Sequence, residues 1–86
     1  MEIDPRIEVA VVKVVDTQIE SEDPPETALT YERLIRAGHT PAEAKNLIGC
    51  VVLAEVFNVL KSGAGYDHQR YVSALENLPR TPDTVI

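Results

Sequence analysis

The stretch TPAEAKNLIGCVVLAEVFNVLKSG, residues 40–63, predicts one long helix with a start signal and a stop signal. The Thr40 hydroxyl can accept a hydrogen bond from a free backbone N–H, and Glu43 three residues later completes a capping box. The proline between them suits the first position of a helix. Gly63 can adopt the left-handed conformation that commonly ends a helix. We therefore predict a helix over residues 41–62.

Apolar side chains cover more than half of the circumference of this third helix. A helix that is apolar nearly all round is normally buried on several sides, so we place it at the centre of a compact bundle. Apolar surface that the other helices leave uncovered is expected to contact a second copy of the chain. The side chains predicted at that dimer contact are Val12, Val51, Val52 and Val56.

Aspartate caps predict three further helices, near residues 5–20, 24–37 and 67–78. A proline follows two of these caps at the position where a helix tolerates it. Tyr66 and Tyr71 flank the last cap at the spacing of a hydrophobic staple. The three capping residues are Asp4, Asp23 and Asp67.

The first of these helices is rich in β-branched valine, which favours strands. Periodicity is compatible with either structure, since Ile7, Val11 and Val15 share one face in both. No second strand is predicted elsewhere in the chain, and a lone strand leaves its backbone groups unpaired. We therefore predict a helix, and the other possibility is a two-stranded ribbon between two copies.

The predicted helices form one all-α domain. A chain of 86 residues is long enough for a single domain with a marginal core, so self-association would add stability. We predict a compact bundle of four helices over residues 1–79, with the largely apolar third helix at its centre. A flexible C-terminal tail is predicted over residues 80–86, because prolines end regular structure there.

The charge balance excludes some classes of partner. Fourteen acidic residues against eight basic ones give a net charge of −6, which disfavours nucleic acid and anionic membranes. The single cysteine excludes an internal disulfide framework and a cysteine-rich zinc site. The first residues lack the pattern of a signal peptide, and no apolar run is long enough for a bilayer span. We therefore predict a cytoplasmic protein.

Residues with chemical potential are few and scattered. Cys50 lies among valines two to three turns into its helix, so we expect a small core side chain. His39 with Glu43, or His68 with Asp67, supplies at most two ligands where a zinc site needs three or four, so both histidines are expected to be exposed. Glu55 and Asn58 form a polar stripe that we place on the solvent side, with a polar seam across a dimer as the other possibility. We expect no catalytic, cofactor-binding or metal-binding residue.

Two polar residues lie within the apolar sector of the first helix. Glu8 is near the helix start, where its carboxylate can reach solvent and benefit from the helix dipole. The other interpretation is a buried polar contact with the third helix, through Asn46 or Glu55. We expect the first arrangement; in the second, the buried polar pair would be Glu8 and Asn46. Gln18 is the second polar residue in this sector.

Three blocks of sequence resemble a family of small bacterial proteins of unknown function. The blocks are DPPET at 23–27, YERLIRAGHTPAEAKNLIG at 31–49 and LAEVFNVLKSGAGYDHQRYVSAL at 53–75. The resemblance implies an all-helical fold.

Many members of that family carry a histidine pair on the first helix and a His-Glu-x-x-His motif at the start of the third. Residues four apart share one helix face, so two such pairs could hold a metal between the helices. This chain has no histidine at any of these positions, and only Glu43 of the second motif remains. The resemblance therefore implies no metal site here. The corresponding positions are Glu8, Val12, Ala42 and Asn46.

The function predicted from these observations is that of a non-enzymatic interaction or structural protein acting as a homodimer. No cofactor is expected, and the identity of any further protein partner cannot be predicted from the sequence. The alternative is a metal-binding protein or metal-dependent enzyme with a degenerate site. That site would use Glu8, His39 and Glu43.

Overall fold

The computed structural model describes residues 4–82, and within that range the chain forms four α-helices and no strand. The helices are α1 (Pro5–Ser21), α2 (Pro25–Arg36), α3 (Pro41–Ser62) and α4 (His68–Asn77). The predicted all-α fold class is confirmed, and the valine-rich stretch forms a helix. Part of the predicted tail, residues 83–86, lies outside the described residues.

Three of the four helices begin at the predicted cap. The Asp4 carboxylate accepts a hydrogen bond from the backbone N–H of Arg6. The Asp67 carboxylate accepts a hydrogen bond from the backbone N–H of Arg70. At Thr40 the full capping box is present: its hydroxyl accepts from the Glu43 N–H at 3.1 Å, and its own N–H donates to the Glu43 carboxylate at 2.8 Å.

The predicted cap of α2 is wrong. Pro24, not Asp23, occupies the capping position, and no side chain caps this helix. The reason lies in the preceding turn: Glu22 adopts a left-handed conformation with φ of 52°, and the Asp23 N–H donates to the carbonyl of Gln18. Asp23 therefore belongs to the end of α1, one residue too early to cap α2.

Thr40→Ala is expected to lower the free energy of unfolding by about 1 kcal/mol, because it removes the acceptor for a helical N–H that has no other partner. The neighbouring His39→Ala variant is the control and should change stability little, since the His39 side chain makes no hydrogen bond in residues 4–82. Urea denaturation of both variants measures the difference. A larger loss for His39→Ala would indicate a structural role for that histidine.

The helix α3 is the central element, as predicted, because each of the other helices packs against it. It supplies much of the buried core, which α1, α2 and α4 complete. The Arg33 guanidinium of α2 donates to two carbonyls at the end of α4, each at 2.9 Å, and so anchors that helix. The buried core consists of Val15, Leu34, Ala44, Ile48, Val51, Val52, Tyr71, Leu75 and Leu78.

Helix α1 lies tightly against α3 at Gly49. A Cβ atom at this position would lie 3.1 Å from Cγ1 of Val11, closer than ordinary van der Waals contact. Valine has little rotameric freedom in a helix, so the side chain cannot easily move away. Glycine at this position therefore permits the observed helix spacing.

Candidate functional site

The surface between α1 and α3 contains an apolar groove that no other described element covers. This α1/α3 groove has a volume of about 560 Å³. Three of its side chains are large, apolar and substantially exposed: Ile7 at 46%, Val14 at 42% and Val56 at 46%. The full lining consists of Asp4, Arg6, Ile7, Ala10, Val11, Val14, Val52, Leu53 and Val56.

The two charged residues of the α1/α3 groove neutralise each other. The Arg6 guanidinium lies 2.8 Å from the Asp4 carboxylate, which lowers the pKa of Asp4 through the hydrogen bonds from Arg6. The rest of the lining is aliphatic. The groove thus presents an apolar surface without an unpaired charge.

The predicted dimer contact is only partly exposed. Val51 is 1% exposed and packs within the chain's own core, so the prediction is wrong for this residue. Val51 points into the core that the other three helices complete. Val52 belongs to the same core and is only 7% exposed, so it contributes little more than the floor of the groove. Val56 lines the groove, and Val12 is exposed at a separate, smaller pocket between α1 and α3.

A second, more polar cleft adjoins the groove and shares Val52 and Val56 with it. This Tyr66 cleft has a volume of about 450 Å³ and lies where residues from all four helices, or from the turns that precede them, meet. Its lining consists of Gln18, Asp23, Pro24, Val52, Glu55, Val56, Tyr66, His68 and Tyr71.

One wall of the Tyr66 cleft is a hydrogen-bonded node around Gln18. Its side-chain oxygen accepts from the Tyr71 hydroxyl and from the Thr27 hydroxyl, each at 2.8 Å. Thr27 is fully buried, and burial is the main reason that the pKa of Tyr71 is raised. The node explains why a glutamine interrupts the apolar sector of α1. The sequence showed the misplaced polar residue but not its two partners.

A second wall contains Glu55, which the sequence analysis placed on the solvent side. That prediction is wrong, because Glu55 is 7% exposed. Its carboxylate accepts from the Arg70 side chain at 2.9 and 2.7 Å and from the Asp67 N–H at 3.2 Å. The hydrogen bonds from Arg70 are the main reason that the pKa of Glu55 is lowered. A partner from α4 therefore compensates for burial of this charge.

The rim of the Tyr66 cleft is aromatic. The Tyr66 and Tyr71 rings lie 6.0 Å apart, centroid to centroid, so the predicted hydrophobic staple is confirmed. His68, which lines the cleft, is exposed as expected. His39, which does not line it, is half-buried rather than exposed. A hydrogen bond joins Nδ1 of His68 to the Tyr66 hydroxyl, and either atom can be the donor. The Nε2 atom of His68 lies 3.5 Å from the Glu26 carboxylate.

Glu8 reaches solvent, as expected, and the alternative buried pair of Glu8 and Asn46 does not form. Both residues are exposed, and both line a small pocket of about 150 Å³ between α1 and α3. Residues 4–10 are all exposed, and the two pockets at this end of α1 are lined by residues at or near α1 and by α3. No hydrogen bond joins the two side chains within residues 4–82.

The residues of the alternative metal site do not come together. In the described part of the chain, no group of three or more histidine, cysteine, aspartate or glutamate side chains could hold a metal ion. Glu8, His39 and Glu43 therefore form no such cluster, and the Glu43 carboxylate is engaged in the capping box. Cys50 is half-buried, and burial raises its thiol pKa, which disfavours the reactive thiolate.

The fold, the α1/α3 groove and the Tyr66 cleft define a small all-α domain with an uncovered apolar groove. Comparison with known proteins finds no match, since no family model, no curated protein and no solved structure is significantly similar to the chain. The family resemblance of the three sequence blocks stays a prediction. Among residues 4–82, no helix combines the length and apolar character needed to cross a bilayer.

Proposed function

We propose that this chain is a non-enzymatic interaction protein that acts as a homodimer, with the α1/α3 groove as the interface. The observation that carries the proposal is the exposed apolar surface of Ile7, Val14 and Val56, which lie together along one groove. Contiguous apolar surface of this kind marks interaction sites in soluble proteins.

The neutral lining of the groove favours a second copy of the chain as its occupant. Among the described residues that line the groove, the only charged ones, Asp4 and Arg6, form an ion pair with each other, although the whole chain carries a net charge of −6. A basic partner would find no free carboxylate in this lining, whereas a copy of the same neutral, aliphatic face meets no repulsion. Two-fold pairing of one face with itself is the commonest way in which such contacts close.

The proposal also agrees with the size of the chain. A domain of 86 residues buries a limited core, so covering further apolar surface in a dimer adds stability by mass action. The proposed location is the cytoplasm, because a single cysteine without a disulfide partner fits a reducing compartment.

Val14→Asp is expected to convert the dimer to a monomer without unfolding it, because Val14 lines the groove and is 42% exposed. Sedimentation equilibrium at micromolar concentration, at low and high salt, measures the association. An aliphatic contact should respond little to salt, because screening weakens ion pairs and leaves apolar burial nearly unchanged.

Leu29→Asp provides the matched control, since Leu29 is 61% exposed on α2 and does not line the groove. This variant should remain dimeric, and circular dichroism should show native helix content in both variants. A monomeric wild-type chain at both salt concentrations would overturn the proposal. Dissociation caused equally by Leu29→Asp would assign the interface to another face.

A further inference from the structure

The Tyr66 cleft has the size and position of a small-molecule site. Its volume of about 450 Å³ lies within the range of roughly 300–1,000 Å³ that is typical of ligand pockets. The cleft combines an apolar floor with several polar side chains, which is the usual composition of such pockets. It contributes nothing to the proposed dimer except the shared residues Val52 and Val56.

Three aromatic rings meet at this cleft. The Tyr66 ring lies 6.0 Å from the Tyr71 ring at an angle of 58°, and 6.0 Å from the His68 ring at an angle of 60°. Rings that meet at such angles form a corner rather than a stack. The face of a tyrosine ring carries partial negative charge and attracts cations, ammonium groups with alkyl substituents above all.

Carboxylates give the cleft a negative potential. Asp23 and Glu55 are in the lining, and the Glu26 carboxylate lies 3.5 Å from His68 of the lining. The Asp67 carboxylate is nearby and caps α4 at Arg70. Arg70 pairs with Glu55 and compensates for one of these charges. The pKa of Tyr66 is raised, first by burial and then by the carboxylates of Glu55, Glu26 and Asp67. This field opposes an anionic ligand and attracts a cationic one.

We propose that the Tyr66 cleft binds a small organic cation, an ammonium group that carries methyl or methylene substituents. The exposed ring of Tyr66, which the buried Tyr71 ring supports from behind, would face the charge, and the Asp23 carboxylate would balance it. The aliphatic side chains of Val52 and Val56 suit alkyl substituents better than the hydration shell of an inorganic ion. The inference does not rest on the dimer.

Choline chloride is the probe, titrated into the full ¹⁵N-labelled chain and followed by NMR. Choline is expected to shift the Gln18 side-chain amide and the backbone signals of Tyr66, His68 and Tyr71 in a saturable way. Its neutral isostere, in which a tert-butyl group replaces the trimethylammonium group, should bind much more weakly. Sodium chloride at equal ionic strength controls for screening.

Variants of Tyr66 test the aromatic contribution. Tyr66→Leu is expected to weaken choline binding about tenfold, because it removes the π face and keeps an apolar side chain. Tyr66→Phe keeps the ring and should retain binding. Asp23→Asn should also weaken binding, while Val14→Asp, which is designed to break the dimer, should bind choline normally.

A short peptide with a trimethylated lysine, titrated in parallel, identifies the source of the ammonium group. Tighter binding of the peptide than of choline assigns the site to a modified side chain of a partner, and tighter binding of choline assigns it to a free amine. Equal binding of choline and its neutral isostere would overturn the proposal. Absence of saturable shifts, or unchanged binding by Tyr66→Leu, would overturn it as well.

Discussion

Val51→Asp is expected to abolish the cooperative unfolding transition and leave a largely unfolded chain. Val51 is 1% exposed and lies in the core formed by all four helices. A buried carboxylate without a partner costs several kcal/mol, against a total stability of about 5 kcal/mol for a domain of this size. Thermal and urea denaturation, followed by circular dichroism, measure the loss.

The stability of Val51→Asp shows whether Val51 belongs to the core or to a dimer interface. If Val51 were a dimer contact, as its sequence pattern predicts, Val51→Asp would yield a folded monomer. The control is Leu29→Asp, which places the same charge on a side chain that is 61% exposed and should keep the native transition. A folded, cooperative Val51→Asp variant would show that α3 is not the centre of the bundle.

Glu55→Ala is expected to have the second-largest effect, a loss of about 2 kcal/mol in the free energy of unfolding. The substitution removes three hydrogen bonds, two from Arg70 and one from the Asp67 N–H. Each bond to a charged group contributes roughly 1.5–3 kcal/mol. The expected loss is smaller than the sum of three such bonds, because the Arg70 side chain is 39% exposed and water can replace part of its hydrogen bonding.

The contribution of Glu55 depends on pH in a predictable direction. Its pKa is lowered in the folded chain from the ordinary value of 4.5, so the folded state favours the ionised carboxylate. The resulting stability is fully present above pH 4.5 and is lost as the pH falls through the lower, folded value. Glu55→Gln should therefore be less stable than wild type at neutral pH and should approach it in acid.

Glu76→Gln is the matched control for this pH series, because Glu76 is exposed on α4 and makes no hydrogen bond in residues 4–82. Its stability should follow that of the wild type within about 0.5 kcal/mol at every pH. Equal acid-induced losses in Glu55→Gln and wild type would contradict the proposed role of Glu55. Urea denaturation at several pH values provides the measurement.

Local interactions made much of this fold predictable from the sequence. The capping box at Thr40 and the left-handed stop at Gly63 each involve only residues within about one helical turn of that position. A short sequence motif is therefore sufficient to predict each of them. The apolar character of α3 likewise indicated its central position. Asp23 failed as a cap because the end of one helix and the start of the next compete for the same few residues.

The Tyr66 cleft was only partly predictable. The polar residues Gln18 and Glu55 were recognised as exceptions on apolar helices, but their partners lie far away in the chain. Tyr71 is 53 positions from Gln18, and Arg70 is 15 positions from Glu55. A buried polar group requires a partner, but the sequence does not state which one.

Apart from the start of α2, the sequence by itself determined where the helices begin and end to within a residue or so, and which side chains share a helical face, because both depend on contacts within a few residues. Only the tertiary structure decided which face each neighbouring helix covers. That choice buried Val51, left Val56 exposed and placed Gly49 against Val11. Rotating α3 about its axis by a fraction of a turn would bury other side chains in place of Val51 without changing any capping motif or helix boundary. The packing of side chains across the whole bundle therefore determines the rotation of α3.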